Sequence, residues 1–454
     1  MKNLTLEHIA EACHGTYVGS EEAKNICVTA ITSDSRKVEK GCLFVPIVGA
    51  RVDGHNFIPQ VMEAGAACTL SEKVLEDAAF PYIQVESSLQ AVKDIAAFYL
   101  DQLQIPVIGI TGSVGKTSTK EMIAAVLAQK YRVLKTQGNF NNELGLPLTV
   151  FRLRDEDEIA VLEMGISDFN EMHRLATVAR PNTCVITNIG TCHLENLGDR
   201  DGVLKAKTEV FDHLRPNATV ILNGDDDKLA TVASVQDKSP VFFGLDASYP
   251  VYADEVESKG LKGISCKIHT FKGDFSVVVP IPGQHMVYNA LAGTAVGLAY
   301  GMELDEIKAG IESLQPVSGR FNIIETEKYT IVDDCYNANP MSMKASLGIL
   351  KDALGRKVAV LGDMGELGEN EAQLHAEVGT FAGTCGIDLL ICVGPLCENM
   401  KRAAQEANPA LEIIHLDTLD ELLGQLDVLV KEKDTILVKA SHFMQFEKVV
   451  KALQ

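Results

Sequence analysis

An α/β protein of three domains is the fold class this sequence predicts, and three observations predict it. At 454 residues the chain is too long for one compact core, so several domains are expected. Short apolar runs alternate with helical stretches through its middle and again through its last third, the rhythm of parallel sheets covered by helices. Between about 250 and 280 the texture turns to alternating strands broken by Gly and Lys, as in an antiparallel insertion.

The elements follow in order. MKNLTLEHIAEACHG has a helical pattern. VTAITSDSR and GCLFVPIVG are strand-like, FIPQVMEAGA is helical, and together they predict a small N-terminal α/β module over 1–84. The helix SLQAVKDIAAFYLDQL then leads into the strand IPVIGI. YRVLKT, EIAVLEMG, TCVITNIG, TVILNG and PVFFG continue a parallel sheet, and VYADEV, ISCKIHTF and FSVVVPIPG form the insertion. A helical stretch ends near Leu314, which bounds the central domain at 85–315. From Pro316 the runs YTIVDD, KVAVLGD, LLICVG, LEIIHL and TILVKA, each followed by a helical segment, predict a Rossmann-like, doubly wound domain over 316–454.

Composition excludes several classes. Hydrophobic residues make up 46% of the chain, as in a soluble α/β enzyme. A formal net charge of -21 argues against nucleic acid as a partner. The 11 cysteines are scattered with no CxxC pair, which fits reduced thiols in a cytoplasmic protein. No apolar h-region opens the chain and no run approaches the roughly 18 residues of a membrane span, so neither signal peptide nor span is expected.

The strongest local signal is GITGSVGKTSTK, Gly109 to Lys120, between an apolar strand and a helix with the stripe Met122, Ile123, Val126 and Leu127. A strand, a glycine-rich loop and a helix N-terminus make an anion cradle. Gly109, Gly112 and Gly115 let backbone N–H groups converge on phosphate oxygens, with Thr111, Ser113 and Ser118 beside them. Lys116 would reach the β- and γ-phosphates and the Thr117 hydroxyl would ligate Mg²⁺. A strict P-loop has glycine where Ile110 stands, and the alternative reading is a glycine-rich turn with an incidental lysine. ATP, as a nucleoside triphosphate, is the favoured ligand, which makes the central domain a P-loop ATPase.

Three later residues are candidates to complete a magnesium site. Glu163 ends the strand EIAVLEMG, His193 follows the strand TCVITNIG, and Lys207 lies on a helix in GVLKAKTEVF. Each also has a plain reading: a solvated turn carboxylate, a structural histidine, a surface lysine. A lysine joins a cation site only as a carbamate, formed when a neutral amine captures CO₂, and burial that lowers its pKa would allow that. The resulting oxygen ligands suit Mg²⁺.

Further motifs carry a resemblance. SDSR (Ser33 to Arg36), DGHNF (Asp53 to Phe57), TQGNFNNELGLPLT (Thr136 to Thr149), PGQHMVYNALAG (Pro282 to Gly293), GRF (Gly319 to Phe321), VDDCYNANP (Val332 to Pro340) and LGDMGELG (Leu361 to Gly368) with His375 stand in the order found in the Mur ligase family. The chain resembles that family from end to end, and most closely its dipeptide-adding branch. The resemblance implies a cytoplasmic, ATP- and Mg²⁺-dependent amide ligase. Its substrates would be UDP-N-acetylmuramoyl-tripeptide and D-alanyl-D-alanine, joined through an acyl phosphate by a monomer. By the same resemblance Ser35, Arg36, Asp53 and His55 would serve the UDP substrate, and Asn139, Asn141 and Asn142 the growing peptide. Thr117, Glu163, His193 and a carbamylated Lys207 would hold magnesium. Asn289 would approach the adenine, Arg320 the γ-phosphate, and Asp334, Tyr336 and Asn337 would line the nucleotide. Lys116, Lys207, His193 and Arg320 are the expected catalytic residues, and closure of the third domain over ATP is the expected motion.

Two positions depart from the pattern. His442, in ASHFMQFE, stands where the branch has an arginine, and Cys335 stands where serine is common. The rival readings are the ligase that adds a single amino acid, a folylpolyglutamate synthetase, and a nucleotide switch sharing only the P-loop.

Overall fold

A computed structural model describes residues 1–49 and 51–454. Among them the strands form three sheets, of five, nine and six strands. The N-terminal sheet contains β1 (Thr16–Val18), β2 (Ile31–Thr32), β3 (Leu43–Phe44), β4 (Cys68–Ser71) and β5 (Tyr82–Gln84), ordered β1-β5-β4-β3-β2. Helices α1 (Leu6–Ala12) and α2 (Ile58–Glu63) accompany it. The two segments read as strands in this region contract to two residues each, because Gly, Pro and Asp punctuate them closely.

Helix α3 (Ser88–Leu103) connects this module to the central domain. Ser87 caps it, accepting from the Gln90 N–H at 3.3 Å, and the left-handed Gln104 ends it. The central domain then runs β6 (Val107–Thr111), α4 (Lys116–Leu127), β7 (Val133–Lys135), α5 (Gly145–Val150), β8 (Ile159–Glu163), α6 (Glu171–Ala179) and β9 (Thr183–Ile186). There follow α7 (Leu194–Leu197), α8 (Arg200–Thr208), β10 (Thr219–Asn223), β11 (Val241–Gly244), β12 (Val251–Ser258), β13 (Ile264–Thr270), β14 (Gly273–Val279), α9 (His285–Ala299) and α10 (Leu304–Glu312). The order is β14-β13-β12-β11-β10-β9-β6-β8-β7, parallel from β7 through β12 and antiparallel over β12, β13 and β14. The antiparallel insertion is therefore where the alternating sequence put it.

The C-terminal domain holds β15 (Asn322–Glu325), β16 (Thr330–Asp333), α11 (Pro340–Leu350), β17 (Lys357–Gly362), α12 (Glu371–Thr384), β18 (Leu389–Val393), α13 (Cys397–Ala407), β19 (Glu412–Leu416), α14 (Leu419–Leu429), β20 (Thr435–Lys439) and α15 (Glu447–Leu453). Its sheet is ordered β15-β16-β20-β17-β18-β19, parallel except for the β15–β16 hairpin at one edge. Helix α11 starts on a reciprocal cap between Asn339 and Ser342, with Pro340 at its first position. Apolar side chains line both faces of this sheet.

One apolar core runs without a break from the N-terminal module into the central domain. It includes Leu6 and Ile9 of α1, Val92, Ile95 and Tyr99 of α3, Leu146 and Val150 of α5, and Leu162 of β8. A second core fills the other face of the central sheet beneath α4, α9 and α10. Among the described residues no helix is long and apolar enough to cross a membrane.

Candidate active site

Strand β6 lies inside the central sheet between β9 and β8, and its register sets Ile110 opposite Glu163 and Thr111 opposite Ile186. The chain crosses from one side of β6 to the other here, the position where doubly wound sheets open a crevice at the strand ends. The glycine spacing now has a reason. Ile110 is still a buried strand residue, so the loop that needs glycine starts later. Gly112 has φ +148, and a Cβ there would fall 2.0 Å from Thr187 Oγ1; Gly115 has φ +80. The loop is clamped from β9: the Val114 N–H donates to Asn188 Oδ1 at 3.0 Å, Thr187 Oγ1 donates to the Val114 carbonyl at 2.6 Å, and the Ser113 N–H donates to the Asn188 carbonyl at 3.0 Å. Sequence reading missed Thr187 and Asn188, whose sole signal was their place at a strand end.

Lys116 opens α4, where the helix dipole is positive. Its ammonium donates to the carbonyls of Gly112 at 2.8 Å and Ser113 at 3.3 Å, and burial holds its pKa down. Thr117 Oγ1 donates to Glu163 Oε1 at 3.2 Å, and Asn141 Nδ2 donates to the same oxygen at 2.8 Å. The fully buried Lys120, one turn beyond Lys116, sits 3.1 Å from Glu121 and 3.7 Å from Glu163 Oε2. Nothing in the sequence marked Lys120, which reads as a polar position on an amphipathic helix.

Three buried polar atoms near this cluster have no hydrogen-bond partner among the described residues: Thr111 Oγ1, Glu163 Oε2 and Lys207 Nζ. Lys207 is 0% exposed on α8, whose first turn is capped by Asp199 accepting from Gly202 at 2.9 Å. Burial, and then the charge of Lys116, pull its pKa down to about 8. A buried amine this easily deprotonated is unsuited to a permanent charge and suited to capture CO₂. The Glu163 carboxylate, one oxygen bonded by the Thr117 hydroxyl and the other facing Lys120 at 3.7 Å without a hydrogen bond, offers the oxygen chemistry that a hard divalent cation takes.

His193 stands apart from that cluster in its partner. Its Nδ1 lies 2.7 Å from Glu366 Oε2, a residue of the C-terminal domain. The imidazole beside it holds the Glu366 carboxyl below the usual range.

Between the central and C-terminal domains lies a cavity of about 970 Å³. Ser113 to Thr119 line one wall, with Asn289 beside them; Arg320, Asp334, Asn337 and Lys439 line the facing wall. Glu163, His193 and Lys207 lie outside this lining. Asn289 Oδ1 accepts from Thr119 Oγ1 at 2.8 Å, tying α9 to α4. Asp334 accepts from Lys439 and Ser346 at 2.6 Å each and from the Phe321 N–H at 3.1 Å, so it fixes the GRF turn. Tyr336 lies outside the cavity lining, behind Arg320, whose guanidinium sits 4.0 Å over its ring, with His442 stacked at 5.4 Å.

The N-terminal candidates form a separate group. Arg36 is exposed beside Ser35 and donates to Asp34 at 2.9 Å. Asp53 accepts from His55 Nδ1 at 2.6 Å and Lys73 at 2.7 Å, while His55 Nε2 accepts the Glu72 N–H at 3.0 Å. Both ring nitrogens of His55 thus hold the loop in shape. Asn139 and Asn142 shape the turn beside Asn141, through bonds from the Asn141 N–H at 2.7 Å and the Gly145 N–H at 2.8 Å. Glu143 anchors this loop to Lys93 at 2.8 Å and Arg174 at 2.7 Å. Asp363, His375 and Cys397 also cluster, but His375 accepts the Met364 N–H at 2.9 Å and donates to the Glu371 carbonyl at 2.7 Å, which leaves no nitrogen for a metal.

Three family models match the chain: the Mur ligase middle domain over 110–297, the glutamate ligase domain of Mur ligases over 319–442, and the Mur ligase family catalytic domain over 28–100. The UDP-N-acetylmuramoyl-tripeptide--D-alanyl-D-alanine ligase of Bacillus subtilis (strain 168) is 36% identical, over 99% of this chain and 98% of its own. The crystal structure of MurF from Acinetobacter baumannii superposes with a TM-score of 0.89 at 32% identity, covering 99% and 98% of the two chains. MurF ligase from Thermotoga maritima in complex with ADP gives 0.82 at 30%, covering 93% and 96%.

Proposed function

The chain belongs to the Mur ligase family, and from that premise we propose how its domains divide the work of an ATP-dependent ligase that joins D-alanyl-D-alanine to a UDP-N-acetylmuramoyl-tripeptide. A carboxylate does not acylate an amine until one oxygen becomes a leaving group. Transfer of the γ-phosphoryl group to the tripeptide carboxylate gives an acyl phosphate, and attack by the dipeptide amine releases phosphate and forms the amide. The first step brings two anions together, so positioning and charge neutralisation dominate it.

Lys116 supplies a positive charge from the P-loop and Arg320 supplies another from the facing domain, its guanidinium oriented on the Tyr336 ring. Gly112, Ser113, Gly115, Thr117 and Ser118 form the phosphate cradle; Gly109 and Thr111, also expected there, belong to β6 behind it, where Gly109 pairs with Leu162 and Cys184 and packs against Met164 and Pro181. Asn289, Asp334, Tyr336 and Asn337 shape the nucleotide cavity. Magnesium, when bound, shields phosphate charge; Thr117, Glu163, His193 and a carbamylated Lys207 are the residues that would hold it. The reading rests above all on two buried atoms without a hydrogen bond, Lys207 Nζ and Glu163 Oε2, the latter facing the Lys120 ammonium at 3.7 Å. Ser35, Arg36, Asp53 and His55 serve the UDP substrate, the last two by fixing its loop, and Asn139, Asn141 and Asn142 serve the peptide end. The enzyme works as a monomer in the cytoplasm.

Phosphate release from ATP and Mg²⁺ tests the reading, with each substrate supplied alone and then both together. Release only with both, and a product heavier by one dipeptide less water, is expected. Steady release with neither would instead mark a nucleotide switch.

A further inference from the structure

Two non-glycine residues in left-handed backbone meet across the boundary of the central and C-terminal domains. His193 (φ +52) follows β9 and Glu366 (φ +60) follows β17. Such backbone is unfavourable for residues with a Cβ and persists where the surroundings impose it. The surroundings of Glu366 are firm. The Gly365 N–H donates to Ser441 Oγ at 2.9 Å, the Met364 N–H donates to His375 at 2.9 Å, and Gly365 lies against the Phe443 ring. Gly368, closing the same turn, rests against the backbone of Leu194 and Glu195 at the start of α7. The side chain between these anchors is 65% exposed, and its partner among the described residues is His193 Nδ1 at 2.7 Å.

We propose that Glu366 is a positioning residue which grips His193 across the domain boundary, so that closure of the C-terminal domain and alignment of the imidazole are one event. The 2.7 Å contact puts the carboxylate where Nδ1–H donates to it in the aligned state, which leaves the lone pair on Nε2, the form in which an imidazole binds a cation. The proposal rests on the reading of His193 as a cation ligand. It adds that the ligand is completed by a residue from another domain. Without closure the ring is free to turn, and the γ-phosphate site is not assembled. Phosphoryl transfer is thereby confined to the arrangement that excludes water from the acyl phosphate.

Glu366→Asn tests this: asparagine tolerates left-handed backbone but is too short to reach the imidazole. The probe is Mn²⁺ with a non-hydrolysable ATP analogue, followed by electron paramagnetic resonance, beside steady-state kinetics. Mn²⁺ affinity and kcat should each fall about 10–100-fold, while KM for ATP stays within about twofold because the P-loop is untouched. Glu366→Gln, which keeps an acceptor at full reach, should recover most of the loss. His193→Ala combined with Glu366→Asn should be no worse than His193→Ala alone, since one residue acts through the other. Losses that add, an unchanged Mn²⁺ affinity in Glu366→Asn, or an unfolding midpoint that falls in step with activity would each overturn the proposal. If His193→Ala itself changes neither readout, the cation-ligand reading fails; if it is impaired and Glu366→Asn is not, Glu366 alone loses its role.

Discussion

The two junctions of this molecule are built from different materials. Between the N-terminal module and the central domain the core is continuous, and Tyr99 of α3 is fully buried in it with its hydroxyl donating to the Leu153 carbonyl at 2.8 Å. Between the central and C-terminal domains lie a cavity of about 970 Å³ and a few small contacts. These include the His193–Glu366 pair, Ser258 donating to Asp352 at 3.4 Å, Gly368 against Leu194 and Glu195, Met341 of α11 lying over Gly190, and Leu261 against the C-terminal core. Opening the first junction would expose apolar surface at roughly 25 cal/mol per Å². Opening the second breaks scattered polar contacts and a few isolated apolar ones, Met341 and Leu261 among them, with no continuous core to expose, at smaller net cost. The first seam therefore fixes the N-terminal module to the central domain, and the second is the looser of the two.

The sharpest way to break this comparison is Tyr99→Ala. It should destabilise the protein by about 3–5 kcal/mol in chemical denaturation. A loss below about 1 kcal/mol would mean that the first seam is no core. Next in size is Lys207→Met, near the second seam. The folded pKa of Lys207 is about 8 against an ordinary 10.5, so the unfolded chain holds more protons between those values. Wild-type stability should accordingly rise with pH from about 8 to 10.5 and carry the full penalty below 8. The methionine variant should lack that rise and gain on the order of 3 kcal/mol at pH 7 in CO₂-free buffer. Its turnover should nonetheless fall about 100-fold or more. A variant less stable than wild type, or one fully active, contradicts the assignment. Smallest is Met341→Ala: the side chain is 45% exposed, so stability should change by less than about 1 kcal/mol. The KM for ATP should rise about twofold. A loss matching that of Tyr99→Ala would make the two seams alike.

Legibility followed burial. Strands β6, β8, β18 and β20 are buried at every residue, so each appears in the sequence around an apolar run, with polar residues confined to strand ends. β1 and β15 were not legible: each is at most four residues, at a sheet edge and partly exposed, and a run that short carries no period. Within the candidate site, the loop that brings Gly112, Gly115, Lys116 and Thr117 together was legible because its residues are local in sequence. Lys120 and Glu366 were not. Lys120 is buried by a carboxylate on another strand, and Glu366 gains its partner from another domain. Their own neighbours in the chain describe only a helix face and a turn.

Lys116 bonds the carbonyls of its own loop, and this bears on how nucleotide affinity responds to ionic strength. A phosphate that takes this lysine replaces two neutral acceptors with charged ones, so the number of hydrogen bonds stays nearly constant while the electrostatic part of the contact grows. The loop is already held by Thr187 and Asn188, so little ordering entropy opposes the exchange. Binding at this position is therefore governed by charge. Added salt should weaken the phosphate end of the nucleotide and leave the contacts of the base almost unchanged.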